Sequence, residues 1–417
     1  MRRTAPLHKR LRILPLAAVI FLTVSGGPYG LEPLLGYGGT HGALLILLLT
    51  PLLWDVPTIF VVMELNSMMP VTGGYYQWVK RALGIRWAWY EGWWTWLYTF
   101  VDLAIYPVLF VEYASFLFPE VEQYKIPICL AIIWMGAGLN ILGIVPVGRI
   151  SMILSIVVVV PFLILFFINF SNHANSFQLP ALSLKGLGFS SLGMGLYTVM
   201  WNFLGWDNTT TYAEEVDRPV KTYLLSTFIA FGLTLFVYAV AVITALSSGI
   251  NLTILGEEGF PMLGSFVAGQ WLAVILAAGG MAGALGLFSA VLLSVSRVPK
   301  VMADDQLLPQ KLQTLHRKYH TPYISIIVCA SVVSVMILWT FGDLLIIDVT
   351  LYGAALFLEF ISLLIFRIRL PEVQRPFKIP LNVVGLCLLI LLPISVYCIA
   401  LTSAFSIEGR QRSRSAQ

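Results

Sequence analysis

The chain has 417 residues and a formal net charge of +4, and its composition excludes an ordinary soluble protein. Hydrophobic residues make up 58% of the chain, charged residues make up only 11%, and the mean hydropathy is +0.86. Since soluble domains carry about 25% charged residues, we predict an all-α integral membrane protein without a separate soluble domain. The four cysteines lie in apolar segments at unrelated spacings, so neither a disulfide framework nor a zinc site is predicted.

Eleven apolar segments are each long enough to cross a bilayer as a helix. They occupy 12–36, 42–66, 87–118, 126–146, 149–170, 188–212, 222–248, 264–296, 322–341, 344–366 and 382–405. The N-terminus is basic, but no small-residue cleavage site follows its apolar run, so we expect a retained first helix. The basic, polar segment from Arg297 to His320 is expected to be a loop with a short surface helix.

The distribution of lysine and arginine predicts the orientation of these spans. With the N-terminus inside, twenty of the 25 cations fall on the cytoplasmic side, and the outer loops hold only Lys125 and Lys185. We therefore expect a multi-pass protein of the plasma (cell inner) membrane with a cytoplasmic N-terminus. The exceptions are Arg410, Arg412 and Arg414, which eleven spans place outside. Either the last span is re-entrant or a twelfth helix is missing.

A glycine-rich stretch at 25–30 interrupts the first apolar span. Three glycines and a proline within six residues are poor helix formers. In hydrocarbon an unpaired backbone group costs several kcal/mol, so such a break is tolerated where it lines a cavity inside the protein. We predict a discontinuous helix that carries a binding site, with Ser25, Gly26, Gly27 and Tyr29 as substrate-binding candidates. The alternative is a kink, or close helix packing through small residues.

A second break at 201–208 mixes glycine, asparagine and aspartate inside the sixth apolar span. Its candidate substrate-binding residues are Trp201, Asn202, Gly205 and Asp207. Paired interrupted helices at corresponding positions indicate the substrate site of an inverted-repeat transporter. The predicted organisation is a cytoplasmic tail at 1–11, five-helix repeats at 12–170 and 188–366, an additional helix at 382–405, and a polar tail at 406–417.

Acidic residues inside the spans are costly and therefore become functional candidates. They are Glu32, Asp55, Glu64, Glu91, Asp102, Glu112, Asp207 and Glu359. Lysine and arginine are not found in the middle of any predicted span, and this negative bias favours a cationic ligand, a coupling cation or protonated carboxyls.

Several of these acids carry alternative interpretations. Asp102 is a candidate for substrate binding or coupling, whereas Glu32, Glu64 and Glu359 are candidates for coupling or gating. The alternative for Glu32 is a solvated outer vestibule, and the alternative for Glu64 is a structural pair with a cytoplasmic arginine. Glu91 is expected to pair with a loop cation.

Motifs for other chemistries are not found. The sequence contains no P-loop, metal-binding spacing or nucleophile elbow, and all five histidines fall in predicted tails or loops. We therefore expect neither an enzyme nor an ATP-driven pump, with no cofactor, no metal and no nucleic-acid partner. The expected partners are a small-molecule substrate, protons and the lipid bilayer.

The two breaks and their neighbouring segments resemble the amino acid–polyamine–organocation (APC) superfamily, which has the leucine-transporter type of fold. The chain is most similar to the polyamine uptake and L-type amino acid transporter group, and the similarity extends through the eleventh span. It rests on SGGPYG with Glu32, on the segments at 63–84, 102–110, 201–219 and 351–360, and on RPFKIP at 375–380. The twelfth helix that is usual in this family is absent from the chain.

This resemblance implies a 5+5 inverted repeat with a site between broken helices 1 and 6. Backbone N–H groups of Gly26 and Gly27 would meet a substrate carboxylate, because the following half-helix presents its positive dipole end. Trp201, Asn202 and Asp207 would line the opposite side, and Asp102 could meet an amine.

The function that this implies is secondary active transport of amino acids or polyamines, with proton symport favoured because buried carboxyls are plentiful. Sodium symport and uncoupled exchange stay open as alternative couplings. A rival class is a substrate sensor, or a partner-dependent membrane subunit, that does not itself transport.

Overall fold

The computed structural model describes residues 11–172, 182–338 and 341–415, without the side chains of residue 257, residues 341–347 and residues 404–415. In these ranges the chain is almost entirely helical. The α-helices are α1 Ile13–Val24, α2 Glu32–Thr50, α3 Val56–Met68, α4 Gly74–Leu83, α5 Ile85–Leu117, α6 Lys125–Leu142, α7 Ile144–Asn172, α8 Phe189–Trp201, α9 Pro219–Ser247, α10 Leu252–Ala268, α11 Gln270–Val295, α12 Arg297–Asp304, α13 Tyr323–Met336, α14 Phe341–Arg369 and α15 Val383–Ser415.

Length and apolar composition identify this as a helical membrane fold. Among the described residues, eight helical segments are long and apolar enough to cross a membrane, and two shorter apolar helices, Ile13–Val24 and Tyr323–Met336, accompany them. The described chain forms no β-strand, only two isolated bridges. In lipid, helices satisfy their backbone hydrogen bonds internally, and this constraint explains the predominance of long helices.

Both predicted breaks are present. The first separates α1 from α2, and the second follows α8, where two short 3₁₀ turns replace a regular helix before α9 begins. A kink at Gly39, whose φ is +59°, divides α2 between the predicted first and second spans. A π-turn at Pro51–Asp55 then joins α2 to α3, next to the proline at the start of α3.

Three features differ from the map drawn from the sequence. The predicted outer loop before span eight forms α10, a helix bent at Gly259 (φ +77°), so α11 begins at Gln270 rather than at residue 264. The GGYYQWVKRALG segment forms α4, a separate short helix. Helix α15 runs to Ser415, so the helix predicted at 382–405 continues through most of the predicted polar tail at 406–417. The predicted short surface helix after Arg297 is confirmed as α12.

Helix α1 lies at the centre of the packing, in contact with α7, α9 and α11. Helix α2 packs on α8 and α10, while α5 packs on both α11 and α14. As a result, the two breaks lie deep inside the bundle, facing α5, α11 and α14. Of the predicted N-terminal tail 1–11, only Leu11 belongs to the described residues.

Candidate functional site

The first break is a compact turn built from left-handed glycines. Gly26, Gly27 and Gly30 have φ values of +59°, +98° and +95°, which L side chains rarely adopt. Space is equally restrictive. A Cβ on Gly26 would lie 2.3 Å from Leu287 Cδ1, and one on Gly27 would lie 2.3 Å from Val158 Cγ1. The break is therefore a packed element, fixed by α11 on one side and by α7 on the other.

The backbone N–H groups of this turn already have partners inside the chain. Gly26 N donates to Phe21 O at 3.2 Å, and Gly27 N donates to Ser25 Oγ at 3.0 Å. A substrate carboxylate would therefore have to displace these bonds to reach the glycine pair. The Tyr29 hydroxyl donates to Leu276 O at 2.7 Å, which anchors the turn on α11.

Glu32 closes the outer end of this break. Its side chain is only 5% exposed, so it does not lie in the solvated vestibule that was the alternative expectation. One carboxylate oxygen accepts from Gly30 N at 2.6 Å, and the other accepts from the Tyr113 hydroxyl at 3.0 Å. Phe260 N of α10 lies 3.5 Å from the second oxygen. Glu32 thus connects the break to α5 and to α10, the helix that sequence reasoning missed.

The second break is joined directly to the first. The Asn202 side-chain amide donates to Gly30 O at 3.0 Å. The Tyr238 hydroxyl of α9 donates to Asn202 O at 2.9 Å and lies 3.4 Å from Ser25 O. A Cβ on Gly30 would lie 2.6 Å from the Trp201 ring. Three of the predicted residues around the two breaks, Ser25, Trp201 and Asn202, therefore meet at one place in the molecule.

The rest of the second break is fixed by the helices around it. Gly205, with φ +95°, donates its N–H to the Tyr352 hydroxyl at 3.3 Å. The Trp206 indole donates to Oδ1 of Asp55, the last residue of the π-turn, at 3.0 Å. This contact ties the π-turn to the second break.

Three buried carboxyls form a cluster beneath the second break, which we call the inner carboxyl cluster: Glu91, Asp207 and Glu359. Glu91 and Glu359 are fully buried, and Asp207 is 3% exposed. The three carboxyls interact electrostatically with one another, and neither oxygen of Glu359 has a hydrogen-bond partner among the described residues. The Tyr352 hydroxyl donates to Asp207 Oδ1 at 2.9 Å. Two carboxyls this close in an apolar interior are stable only when they share a proton or face a cation.

The prediction that Glu91 pairs with a loop cation is wrong. Neither of its carboxylate oxygens has a hydrogen-bond partner in the described structure, and it takes part in none of the ion pairs found there. Glu91 is fully buried and interacts electrostatically with Asp207 instead.

A second pair of acids lies further along the same two helices, and we call it the outer carboxyl pair: Asp102 and Asp348. The Asp102 carboxylate accepts from the Tyr106 hydroxyl at 2.5 Å, and it interacts electrostatically with Asp348. The Trp201 indole of the second break lies beside Asp348. Asp348 was overlooked in the sequence, although an aspartate inside the apolar span at 344–366 was the signal that identifies it.

Two tyrosines lie between the inner carboxyl cluster and the outer carboxyl pair. The rings of Tyr98 and Tyr352 meet edge to face with centroids 5.3 Å apart. The Tyr98 hydroxyl donates to Asn208 Oδ1 at 3.0 Å, and it interacts with both Asp207 and Asp348. These tyrosines carried no sequence signal, because aromatic residues are common throughout the spans.

Glu64 occupies a different place in the molecule. Arg367 of α14 makes a two-pronged pair with its carboxylate at 2.6 Å and 2.6 Å, and Arg375 adds a contact at 3.3 Å. Ile379 N donates to the same carboxylate at 2.9 Å. Glu64 thus holds the RPFKIP segment on α3. This is the structural pairing weighed as its alternative, and it places Glu64 apart from both breaks.

The inner end of the second break is closed by further ties. Arg297, only 1% exposed, makes a two-pronged ion pair with Glu215 at 3.1 Å and 3.3 Å. Gly73 N donates to Thr211 O at 2.8 Å, and Leu11 N donates to Glu215 O at 3.2 Å. These bonds tie the segments before α1 and α4 to the chain that follows the second break.

Two broken helices that meet beside buried carboxyls are typical of helical membrane transporters with a central site. A model of the amino acid permease family matches residues 11–406. The chain belongs to this amino acid permease family.

Several curated relatives with similar sequences are transporters of plants. The chain is 31% identical over 396 residues to the polyamine transporter RMV1 of Arabidopsis thaliana, covering 94% of this chain and 80% of that protein. It is 32% identical over 415 residues to a probable polyamine transporter of the same plant, covering 96% and 84%. Polyamine transporter PUT1 of Oryza sativa subsp. japonica is 30% identical over 393 residues, covering 92% and 72%. The chain is therefore a membrane transporter for a small molecule, not an enzyme.

Proposed function

We propose that this chain moves amino acids or polyamines across the plasma membrane by alternating access in symport with protons, and that polyamines are the favoured class. The observation that carries the proposal is the stacking of the outer carboxyl pair above the inner carboxyl cluster. Among the described residues, none of these five acids forms an ion pair with lysine or arginine. Buried carboxyls without a built-in cation suit a ligand that brings the positive charge itself.

The spacing of the acids suits a ligand with several charges. Glu91 and Asp102 are eleven residues apart on α5, and so are Asp348 and Glu359 on α14. At 1.5 Å per residue, each pair is separated by about 16 Å along its helix. A polyamine carries separated ammonium groups on an apolar chain, and Tyr98 with Tyr352 offers aromatic surface between the two levels.

The first break also favours polyamines over amino acids as substrates. An amino acid would present a carboxylate to Gly26 and Gly27, but their N–H groups already donate to Phe21 O and Ser25 Oγ. A polyamine has no carboxylate and therefore does not need these N–H groups. The names of the plant relatives point in this direction as well.

Coupling follows from the closeness of Asp207 and Glu359. Since neither carboxyl is paired with a cation among the described residues, we expect one of the two to hold a proton until a substrate arrives. An arriving ammonium group can replace that proton as the counter-charge, so the proton and the substrate would cross in linked steps. Glu359 is the member on a continuous helix, and we assign it the coupling role, with Asp207 as the group that meets the amine.

The two breaks supply the moving parts. We propose two five-helix repeats, 12–170 and 188–366, headed by the two breaks, with the helix at 382–405 as an addition. Asn202 and Tyr238 link the breaks, so movement of one is transmitted to the other. In alternating access, the Glu32 contacts would open on the outer side and the Glu215–Arg297 pair on the inner side, one at a time. The distribution of lysine and arginine supports a cytoplasmic N-terminus.

The test is uptake of labelled putrescine, spermidine, arginine and leucine into proteoliposomes that hold the purified chain, with and without an inward proton gradient. We expect gradient-dependent uptake of the two polyamines. Uptake of amino acids alone would reject the favoured substrate class, and uptake driven by sodium or by internal substrate would reject proton coupling. Binding without any movement would favour a sensor or a partner-dependent subunit.

Variants separate the assigned roles. Glu359→Gln should keep polyamine exchange but lose accumulation driven by the proton gradient, whereas Asp207→Asn and Asp102→Asn should raise the KM for polyamines. Glu112→Gln is the matched control, because this exposed acid on α5 lies outside both groups of carboxyls. Gly27→Leu should abolish uptake while expression persists. Loss of exchange together with accumulation in Glu359→Gln would reject its coupling role.

A further inference from the structure

A cleft of about 490 Å³ opens at the end of the bundle where α1, α7 and α9 begin. Its wall includes Arg12 and Leu14 from the start of α1, Arg149 from α7, and the segment Asp217–Thr222 that leads into α9. None of the carboxyl groups of the two breaks lines the cleft, and the transport proposal makes no use of it.

Backbone contacts hold the cleft in shape. Leu11 N donates to Glu215 O at 3.2 Å, and Asp217 N donates back to Leu11 O at 3.0 Å. The Ser226 hydroxyl of α9 donates to Ile13 O at 2.8 Å. The starts of α1 and α9 are therefore fixed relative to each other before any ligand arrives.

The charge of the cleft is unbalanced. A single acid, Asp217, lines it, against four exposed cations. These cations are Arg12, Arg149, Arg218 and Lys221. None of the four takes part in an ion pair among the described residues. Arg218 even adopts a left-handed conformation, with φ +46°. Four unpaired cations around one cavity indicate an anionic ligand.

Apolar side chains continue the cleft toward the membrane interior. Residues four apart on a helix lie on the same face, one turn deeper. Four residues after Arg149 comes Ile153, which is 63% exposed, and four after Lys221 comes Leu225, which is 41% exposed. Leu14, at the mouth, is 64% exposed. The cations at the mouth of the cleft match a phospholipid phosphate at the membrane interface. The apolar strips below them, which include Ile153 on α7 and Leu225 on α9, match its acyl chains.

We propose that this cleft binds one anionic phospholipid, whose phosphate contacts the four cations and whose acyl chains lie along α7 and α9. The apolar strips distinguish this ligand from free inorganic phosphate, which has nothing to place on them. Because α1 leads into the first break, the bound lipid also braces the start of that helix against α9.

The test uses the full chain in detergent, given equal amounts of phosphatidylglycerol and phosphatidylcholine with identical acyl chains, with bound lipid counted by native mass spectrometry. We expect one retained phosphatidylglycerol. Since a cation near an anionic lipid contributes about 1 kcal/mol, Arg149→Gln and Lys221→Gln should each lower its retention about fivefold. Arg149→Lys keeps the charge and should retain the lipid.

The matched control is Arg81→Gln with Arg86→Gln, two exposed cations on the same side of the bundle but outside the cleft. Equal retention of both lipids by the original chain, or equal loss in the control, would overturn the proposal. Inorganic phosphate, added at the same phosphorus concentration, should leave the lipid in place. Displacement by inorganic phosphate would assign the cleft to a free anion instead. Unaltered thermal unfolding of the glutamine variants shows that they are folded.

Discussion

Gly283→Ala is the most direct test of the contact between α11 and the first break. Gly283 is buried in α11, and a Cβ at this position would lie 2.4 Å from the backbone oxygen of Gly26. Ordinary contacts begin at 3.4 Å, so one of the two backbones has to move by about 1 Å. No side-chain rotation can relieve the clash, because the obstructing atom belongs to the main chain.

The size of the effect follows from two opposing terms. Alanine in place of glycine favours a helix by about 1 kcal/mol. Inserting a methyl group into a packed interior costs about 1–3 kcal/mol. We therefore expect a net loss of stability of up to about 2 kcal/mol. Uptake should fall more steeply, by roughly tenfold or more, because a misplacement of 1 Å at a working site costs up to about 100-fold.

Gly232→Ala provides the control. Gly232 lies in α9, is exposed, and has nothing within 4 Å of the added Cβ. This change should raise stability by about 1 kcal/mol and leave uptake intact. Thermal unfolding and proteoliposome uptake are measured for both variants. If Gly283→Ala transports as well as the original chain, the close approach of α11 to the break has no part in transport, and the reasoning fails.

Two further predictions concern the buried ion pairs. Glu64→Gln leaves Arg367 without its counter-charge, so the chain should lose about 3–5 kcal/mol of stability; an unaltered melting temperature of the purified protein would contradict this. Glu215→Gln weakens the two-pronged pair with Arg297 and should ease opening on the inner side. Labelling of Thr23→Cys by a thiol reagent added from that side should then rise several-fold, and an unaltered labelling rate would show that the pair does not hold the inner side closed.

The inner carboxyl cluster and the RPFKIP anchor illustrate two uses of buried charge in one molecule. Glu64 is matched by two arginines and a backbone N–H, so its charge is satisfied permanently. Asp207 accepts from the Tyr352 hydroxyl and interacts with Glu359, and among the described residues neither acid forms an ion pair with a cation. The first arrangement serves to fix a segment, whereas the second leaves a charge deficit that a ligand or a proton can fill.

The sequence alone was sufficient for the membrane class, the helical architecture and the position of both breaks. Apolar runs of about 20 residues have few alternatives in a bilayer, and a run of glycines such as that at Gly26, Gly27 and Gly30 interrupts a helix wherever it occurs. These are local properties, so they can be read without knowing which helices are neighbours. The family resemblance rested on the same local segments, and the match over residues 11–406 confirms it.

The tertiary structure decided which charges meet. Glu91 and Glu359 are far apart in sequence, and only the packing of α5 on α14 brings them to Asp207. The same packing separated Glu64 from the site and buried Glu32 against α10. The mixed composition of α10 had led us to predict a loop there. Contacts between helices depend on which faces pack together. In a chain that is hydrophobic all round, the apolar pattern along each helix does not reveal those faces.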